Sequence, residues 1–209
     1  MTQFAEKYLV QSKEQLESLF GEPSEASLQK EVSFLHPHYQ SLIKASPFAV
    51  IATISPNGLD ASPRGDPPGF VSIHDEHTLL IPERRGNNRI DSLRNILVDP
   101  RVALLFLIPG IGETLRVNGR ASISTDPNLL QNQSVEGKLP KCVIIVKVEK
   151  AFFQCARAIH RSKLWQSVSH DDRSDVPSAG KILAALTNAR IDGDKYDREL
   201  LARQRDTLY

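Results

Sequence analysis

The sequence predicts a mostly β protein: an antiparallel barrel with flanking helices. Three observations predict it. Short β-branched and apolar runs follow one another from Phe48 to Cys155, each bounded by turn residues. Only one stretch with helical spacing, residues 88–97, interrupts them, whereas a doubly wound sheet would alternate strand and helix throughout. The chain before Phe48, and most of the tail after Ser162, is patterned for helix instead.

The elements follow in order. Ser12 and Gln15 form a capping-box pair ahead of Leu16, Leu19 and Phe20, and Gly21 with Pro23 stops that helix. A second helical segment covers residues 27–35. A third starts at Pro37, carries Tyr39, Leu42 and Ile43 on one face, and ends at Pro47. FAVIATIS then reads as a strand, with PNG as a hairpin turn before a second strand, LDASPRG, and a DPPG loop. FVSI and TLLIPE are two short strands around the polar turn HDEH. RVALLFLIP is almost continuously apolar, as for a strand buried on both faces. ETLRVNGRASIS alternates, with Leu115, Val117 and Gly119 opposite Arg116, Asn118 and Arg120. CVIIVKVEKAFFQCA is the last long strand. A polar loop at residues 169–180 leads to two helices, KILAALTNAR and a charged one after it, read as a packed appendage or an oligomer contact.

A length of 209 residues suits one well-buried domain. It is read as N-terminal helices (1–46), barrel (47–160) and a C-terminal helical appendage (161–209). Hydrophobic residues at 40% and charged residues at 24% exclude a disordered or fibrous chain. A net charge of +1 gives no field to draw the chain onto nucleic acid or an anionic membrane, so an anion site must be local. Apolar runs such as residues 102–109 fall far short of a membrane span. The first ten residues lack the basic-then-apolar pattern of a signal peptide, so a cytoplasmic protein is expected. Cys142 and Cys155 form no metal or disulfide pattern and read as buried free thiols.

Several chemistries lack their motifs. There is no GxxxxGK(S/T) phosphate loop and no GxSxG elbow. Gly110 and Gly112 lack the third glycine and following helix of a dinucleotide fingerprint. The histidines form no HExxH, and His36 with His38 sit two apart, off a common helical face, so no metal site is expected.

One segment does concentrate groups suited to a phosphate: IPERRGNNRIDSLRN. A strand ends at Pro82, Arg84 and Arg85 occupy the connection, and Gly86, Asn87 and Asn88 lead into a helix whose first turn contains Arg89. Helix starts offer unpaired N–H groups, Asn87 or Asn88 can cap the helix or bond an oxyanion, and Arg89 adds a bidentate cation. SPRGD brings Ser62 and Arg64 from a neighbouring strand end, and Thr114, Arg116 and Asn118 share one face of another strand, where a cofactor or solvent must satisfy them.

Taken together, SPRGD, GNNR, NILVDPRVALLFLIPG and ETLRVNGRA resemble the pyridoxamine 5'-phosphate oxidase-like superfamily of FMN-binding split barrels, and in particular its PPOX-class FMN-dependent branch, over about residues 30 to 165. The resemblance implies an antiparallel split β-barrel and a homodimer with FMN at the subunit interface. It places the FMN phosphate at Arg89, with Asn87 and Asn88 beside it. It puts Ile81 and Pro82 along the flavin, Ser62, Pro63 and Arg64 at the ring and ribityl chain, and Thr114 near the flavin edge. A late segment with Arg161, Ser162, Leu164 and Trp165 is the expected contribution of the second subunit. The Arg-x-His end of true pyridoxamine-phosphate oxidases has no match here, and SPRGD replaces their strand motif of arginine, aliphatics and lysine. The expectation is therefore FMN-dependent redox chemistry on an unidentified small molecule. Its rivals are a non-catalytic flavin sensor, a deazaflavin (F420)-dependent reductase and a haem-binding relative.

Overall fold

The structure is a computed structural model and describes residues 5–167 and 175–209. The start of the polar loop expected at 169–180 lies outside the described residues. The chain divides into two compact units, one ending at Glu31 and one running from Val32 to Tyr209. In the first, a 3-10 turn (Glu6–Tyr8) precedes α1 (Lys13–Phe20) and α2 (Glu25–Gln29). The Ser12 hydroxyl accepts from the Gln15 N–H, and the Gln15 side chain accepts in turn from the Gln11 N–H. This is the capping geometry that the sequence predicts, displaced by one residue on its return bond. The second helical segment is shorter than its spacing predicts: it ends at Gln29.

In the second unit Val32 makes a β-bridge to Ala151. Next comes α3 (Pro37–Ala45), started by Pro37 and capped by the His36 ring, which accepts from the His38 N–H. The strands are β1 (Phe48–Ser55), β2 (Gly58–Gly65), β3 (Ser72–Asp75), β4 (Thr78–Glu83), β5 (Arg101–Leu107), β6 (Thr114–Ser124) and β7 (Cys142–Gln154). They form one sheet in the order β2-β1-β5-β6-β7-β4-β3, with every pairing antiparallel. The sheet is not closed, since β2 and β3 are edges, and helices flank it, as a mostly β split barrel requires.

One face of the sheet is the core. Ile51, Phe106, Leu115, Val117, Ile144 and Val146 are fully buried there, each contributing about 1.5–3 kcal/mol relative to exposure. A bulge between Asn118 and Gly119 bends β6 against β7. A Cβ at Gly119 would stand 2.1 Å from the Lys147 carbonyl oxygen, so only glycine fits that crossing.

Four expectations are corrected. The helix predicted from residue 88 is α4 (Asp91–Val98), because Asn88 and Ile90 adopt left-handed φ values of 59° and 51° that no helix can include. The apolar run of β5 is buried on one face only: Val102, Leu104 and Phe106 are buried, while Ala103, Leu105 and Leu107 stay partly open. Cys155 is exposed, lying just beyond β7, although Cys142 is buried as expected; both thiols are free. Two helices that the spacing did not single out are present, α5 (Pro127–Asn132) and α6 (Arg157–Ser162).

The tail forms α7 (Ala179–Leu186) and α8 (Gly193–Asp206). They approach so closely that a Cβ on Gly180 would stand 2.1 Å from the Gly193 carbonyl oxygen. Among the described residues no helix is long and apolar enough to cross a membrane.

Candidate functional site

The ends of β2 and β4, the connection after β4 and the start of α4 surround a cleft of about 500 Å3. Pairing of β4 with β7 brings Glu83 opposite Cys142, and the Lys141 N–H bonds to the Glu83 carbonyl, so Lys141 joins the wall. Ser92 of α4 is buried and donates to the Asp60 carboxylate on β2, which fixes the helix start against that strand. No side chain caps α4, and its first turn borders the cleft with N–H groups unsatisfied by the helix.

Five basic residues, Arg64, Arg84, Arg85, Arg89 and Lys141, and three acidic ones, Asp60, Glu83 and Asp91, line the cleft. Their commitments differ. Arg64 donates through Nε to Glu83 at 3.0 Å and through one terminal nitrogen to the Ser62 hydroxyl and the Pro63 carbonyl. Arg84 is turned away: it bonds Asp66 at 2.9 Å and the Gln133 carbonyl, and Tyr209 donates its hydroxyl to the other Asp66 oxygen. That contact and burial push the Tyr209 hydroxyl above its ordinary pKa. Arg89 is exposed and bonds Asp91 at 2.8 Å, which raises its own pKa further and keeps it charged. Asn87 accepts from the Arg89 N–H and Asn88 from the Lys141 ammonium, so neither caps the helix. This corrects the capping expectation: the left-handed turns at Asn88 and Ile90 carry the asparagines ahead of the helix start. Arg89 likewise stands before α4 and not in its first turn. Arg85 has no hydrogen-bond or ion-pair partner among the described residues.

The cleft thus gathers Ser62, Pro63, Arg64, Asn87, Asn88 and Arg89. Ile81 and Pro82 are not in its wall: they are buried in β4, paired with Ile144 and Val143 of β7. Thr114 is not brought there. It pairs with Gln154 at the other end of β7, roughly 40 Å of strand from Cys142. Arg161 and Ser162 are the last residues of α6 and Leu164 follows it, near that far end, where the Trp165 indole N–H donates to the Ile111 carbonyl at 2.7 Å. Arg116 lies exposed over the Phe152 ring, and the Asn118 side-chain oxygen (Oδ1) is buried with no partner among the described residues. Spacing missed Asp60 and Lys141, which only strand pairing and the Ser92 bond bring to the cleft.

Burial and the Glu83 carboxylate push the Cys142 thiol up, so it is no thiolate nucleophile at neutral pH. Among the described residues no three His, Cys, Asp or Glu side chains could hold a metal. What the arrangement can do is bind an anion, through Arg85, Arg89, Lys141 and the open N–H groups of α4.

A sequence profile for pyridoxamine 5'-phosphate oxidase matches residues 35–155, more than half of the chain. The chain belongs to the pyridoxamine 5'-phosphate oxidase family. The matched part runs from Leu35 before α3 to the end of β7 and so contains the whole cleft. No curated protein matches the sequence. Among solved structures, HupZ of Group A Streptococcus is 22% identical over 57% of this chain and 94% of that one, with a TM-score of 0.47. A candidate pyridoxamine 5'-phosphate oxidase from Lactobacillus delbrueckii is 20% identical over 58% and 95%, with a TM-score of 0.46. General Stress Protein 26 from Bacillus anthracis is 17% identical over 55% and 88%, with a TM-score of 0.38.

Proposed function

We propose that this family member binds FMN in the cleft and serves as an FMN-dependent oxidoreductase for a small molecule, acting as a single flavin-binding domain. The observation that carries the reading is the convergence of exposed Arg89, unpartnered Arg85, Lys141 and an uncapped helix start on one cleft. That donor set suits a phosphate dianion, and a volume of about 500 Å3 is of cofactor size. Arg89, with Asn87 and Asn88 beside it, holds the phosphate. Ser62, Pro63 and Arg64 contact the ribityl chain and ring, and Ile81 and Pro82 supply the buried strand end that leads into the cleft wall at Glu83. Bound FMN supplies reversible hydride or electron exchange at its ring system. The chain's own part is to bind and orient it, since no group at the cleft has the setting of a nucleophile or a metal ligand.

The second half of the site comes from a second copy of the chain. Thr114, Arg161, Ser162 and Trp165 lie too far along β7 to reach their own cleft, so a homodimer with FMN between its subunits is what gives them a role. Two free thiols fit a reducing, cytoplasmic setting.

The purified full chain is expected to show flavin absorbance, or to acquire it on adding FMN, and native mass spectrometry should find FMN bound to a dimer. A colourless protein that takes up no added FMN sinks the proposal. A deazaflavin mass in place of FMN changes the cofactor, and FMN without turnover by any reductant and acceptor pair makes the protein a flavin sensor.

A further inference from the structure

Residues 85–87 border both the cleft and a second cavity, of about 540 Å3, whose other wall is α8. Nothing in the FMN reading uses this space. We infer that the second cavity admits the adenylate half of a flavin adenine dinucleotide, so that the cleft takes FAD as well as FMN; the inference rests on the FMN reading and extends it.

Position is the first argument. The cavity begins at Arg85, Gly86 and Asn87, where an FMN phosphate held by Arg89 ends. A Cβ at Gly86, which lines both spaces, would meet nothing within 4 Å, so no group closes over that residue. Charge is the second. Arg85 lines both spaces and has no partner among the described residues, so it is placed to bond either phosphate of a pyrophosphate bridge. Shape and polarity are the third. Leu200 and Leu208 give the cavity apolar walls, and the Arg203 guanidinium lies 4.4 Å from the Tyr196 ring centre. A guanidinium can stack on a flat π system such as a purine. The Gln204 amide supplies both a donor and an acceptor to a base edge. Size decides against the neighbouring recess by Lys138 and Tyr209. At about 250 Å3 it has half the volume, and its Arg84 is already bonded to Asp66.

The test titrates the full chain, freed of bound flavin, with FMN and with FAD, following quenching of flavin fluorescence. FAD is expected to bind within threefold of FMN or more tightly. Leu200→Trp, which fills the cavity, and Arg203→Glu, which reverses its charge, should each weaken FAD at least tenfold while FMN stays within twofold. FAD binding tenfold weaker than FMN in the unaltered chain overturns the inference and leaves the FMN reading standing. So does an equal loss of both flavins in both variants. A chain that binds neither flavin overturns the inference together with the reading beneath it.

Discussion

Arg64 is held on three sides, by Glu83, the Ser62 hydroxyl and the Pro63 carbonyl, and its ion pair is largely buried, with side chains 16% and 20% exposed. Truncating it leaves Glu83 under-solvated without its cation. Breaking such a pair costs more than the pair itself contributes. Arg64→Ala should therefore destabilise the fold by about 2 kcal/mol, a fall in Tm of roughly 4–8 °C for a chain of this size. Arg89 differs: its side chain is 76% exposed and, among the described residues, bonds only Asp91. Arg89→Ala should leave Tm nearly unchanged but weaken FMN about tenfold to a hundredfold, the scale of a lost charge-assisted bond. Riboflavin, which lacks the phosphate, should lose less than twofold. Thermal melts and paired flavin titrations separate the two arginines, and equal losses of FMN and riboflavin in Arg89→Ala would remove the phosphate from that residue.

Among the elements, the α7–α8 hairpin is tied at one carboxylate. Asp197 on α8 accepts from the Ser178 hydroxyl and from the Gly180 N–H at the start of α7. The Ser178 bond, then the Gly180 bond, hold its carboxyl below the ordinary aspartate range. The folded chain thus takes up that proton less readily than the unfolded one. The tie is complete above the ordinary aspartate pKa of 3.8 and is lost as pH falls through the lower folded value. Asp197→Asn should speed amide exchange in α7 and α8 at pH 7, and the gap from the unaltered chain should narrow as pH falls below the ordinary aspartate pKa of 3.8; a gap that does not change with pH assigns the tie to packing alone. The strands were legible in the sequence because turn residues bound each apolar run and β6 alternates cleanly. The start of α4 was not, since left-handed turns at Asn88 and Ile90 answer to the surrounding loop and not to local propensity. Of the cleft, SPRGD and GNNR were legible as clusters of polar groups. Asp60 and Lys141 were not, because only the β4–β7 pairing and the Ser92 bond make them neighbours of those clusters. α5 carried a readable signal in Asp126 followed by Pro127, where the Asp126 carboxylate accepts from the Asn128 N–H.

In the molecule as a whole, the sheet has two faces, and the core uses one. On the other, the register sets Val50 opposite Leu105, Ala52 opposite Ala103, and Ala103 opposite Asn118, so these residues share a face. Their apolar side chains are only partly covered, and Leu59 beside them is 83% exposed. The Asn118 side-chain oxygen (Oδ1) on this face is buried yet has no partner among the described residues, a cost that a partner's donor would remove. The near-continuous hydrophobicity of β5, which one chain leaves half unused, has its purpose if a second copy covers this face. Leu105→Glu puts a charge at the middle of that contact while the core face, with Leu104 and Phe106, is untouched. The variant should keep its far-ultraviolet circular dichroism, run as a monomer in size-exclusion chromatography, and bind FMN at least tenfold more weakly, because each cleft loses the other subunit's Thr114 and Trp165. A variant that stays dimeric moves the interface elsewhere on the chain. A monomer that binds FMN as tightly as the unaltered protein confines the flavin to the residues of a single cleft.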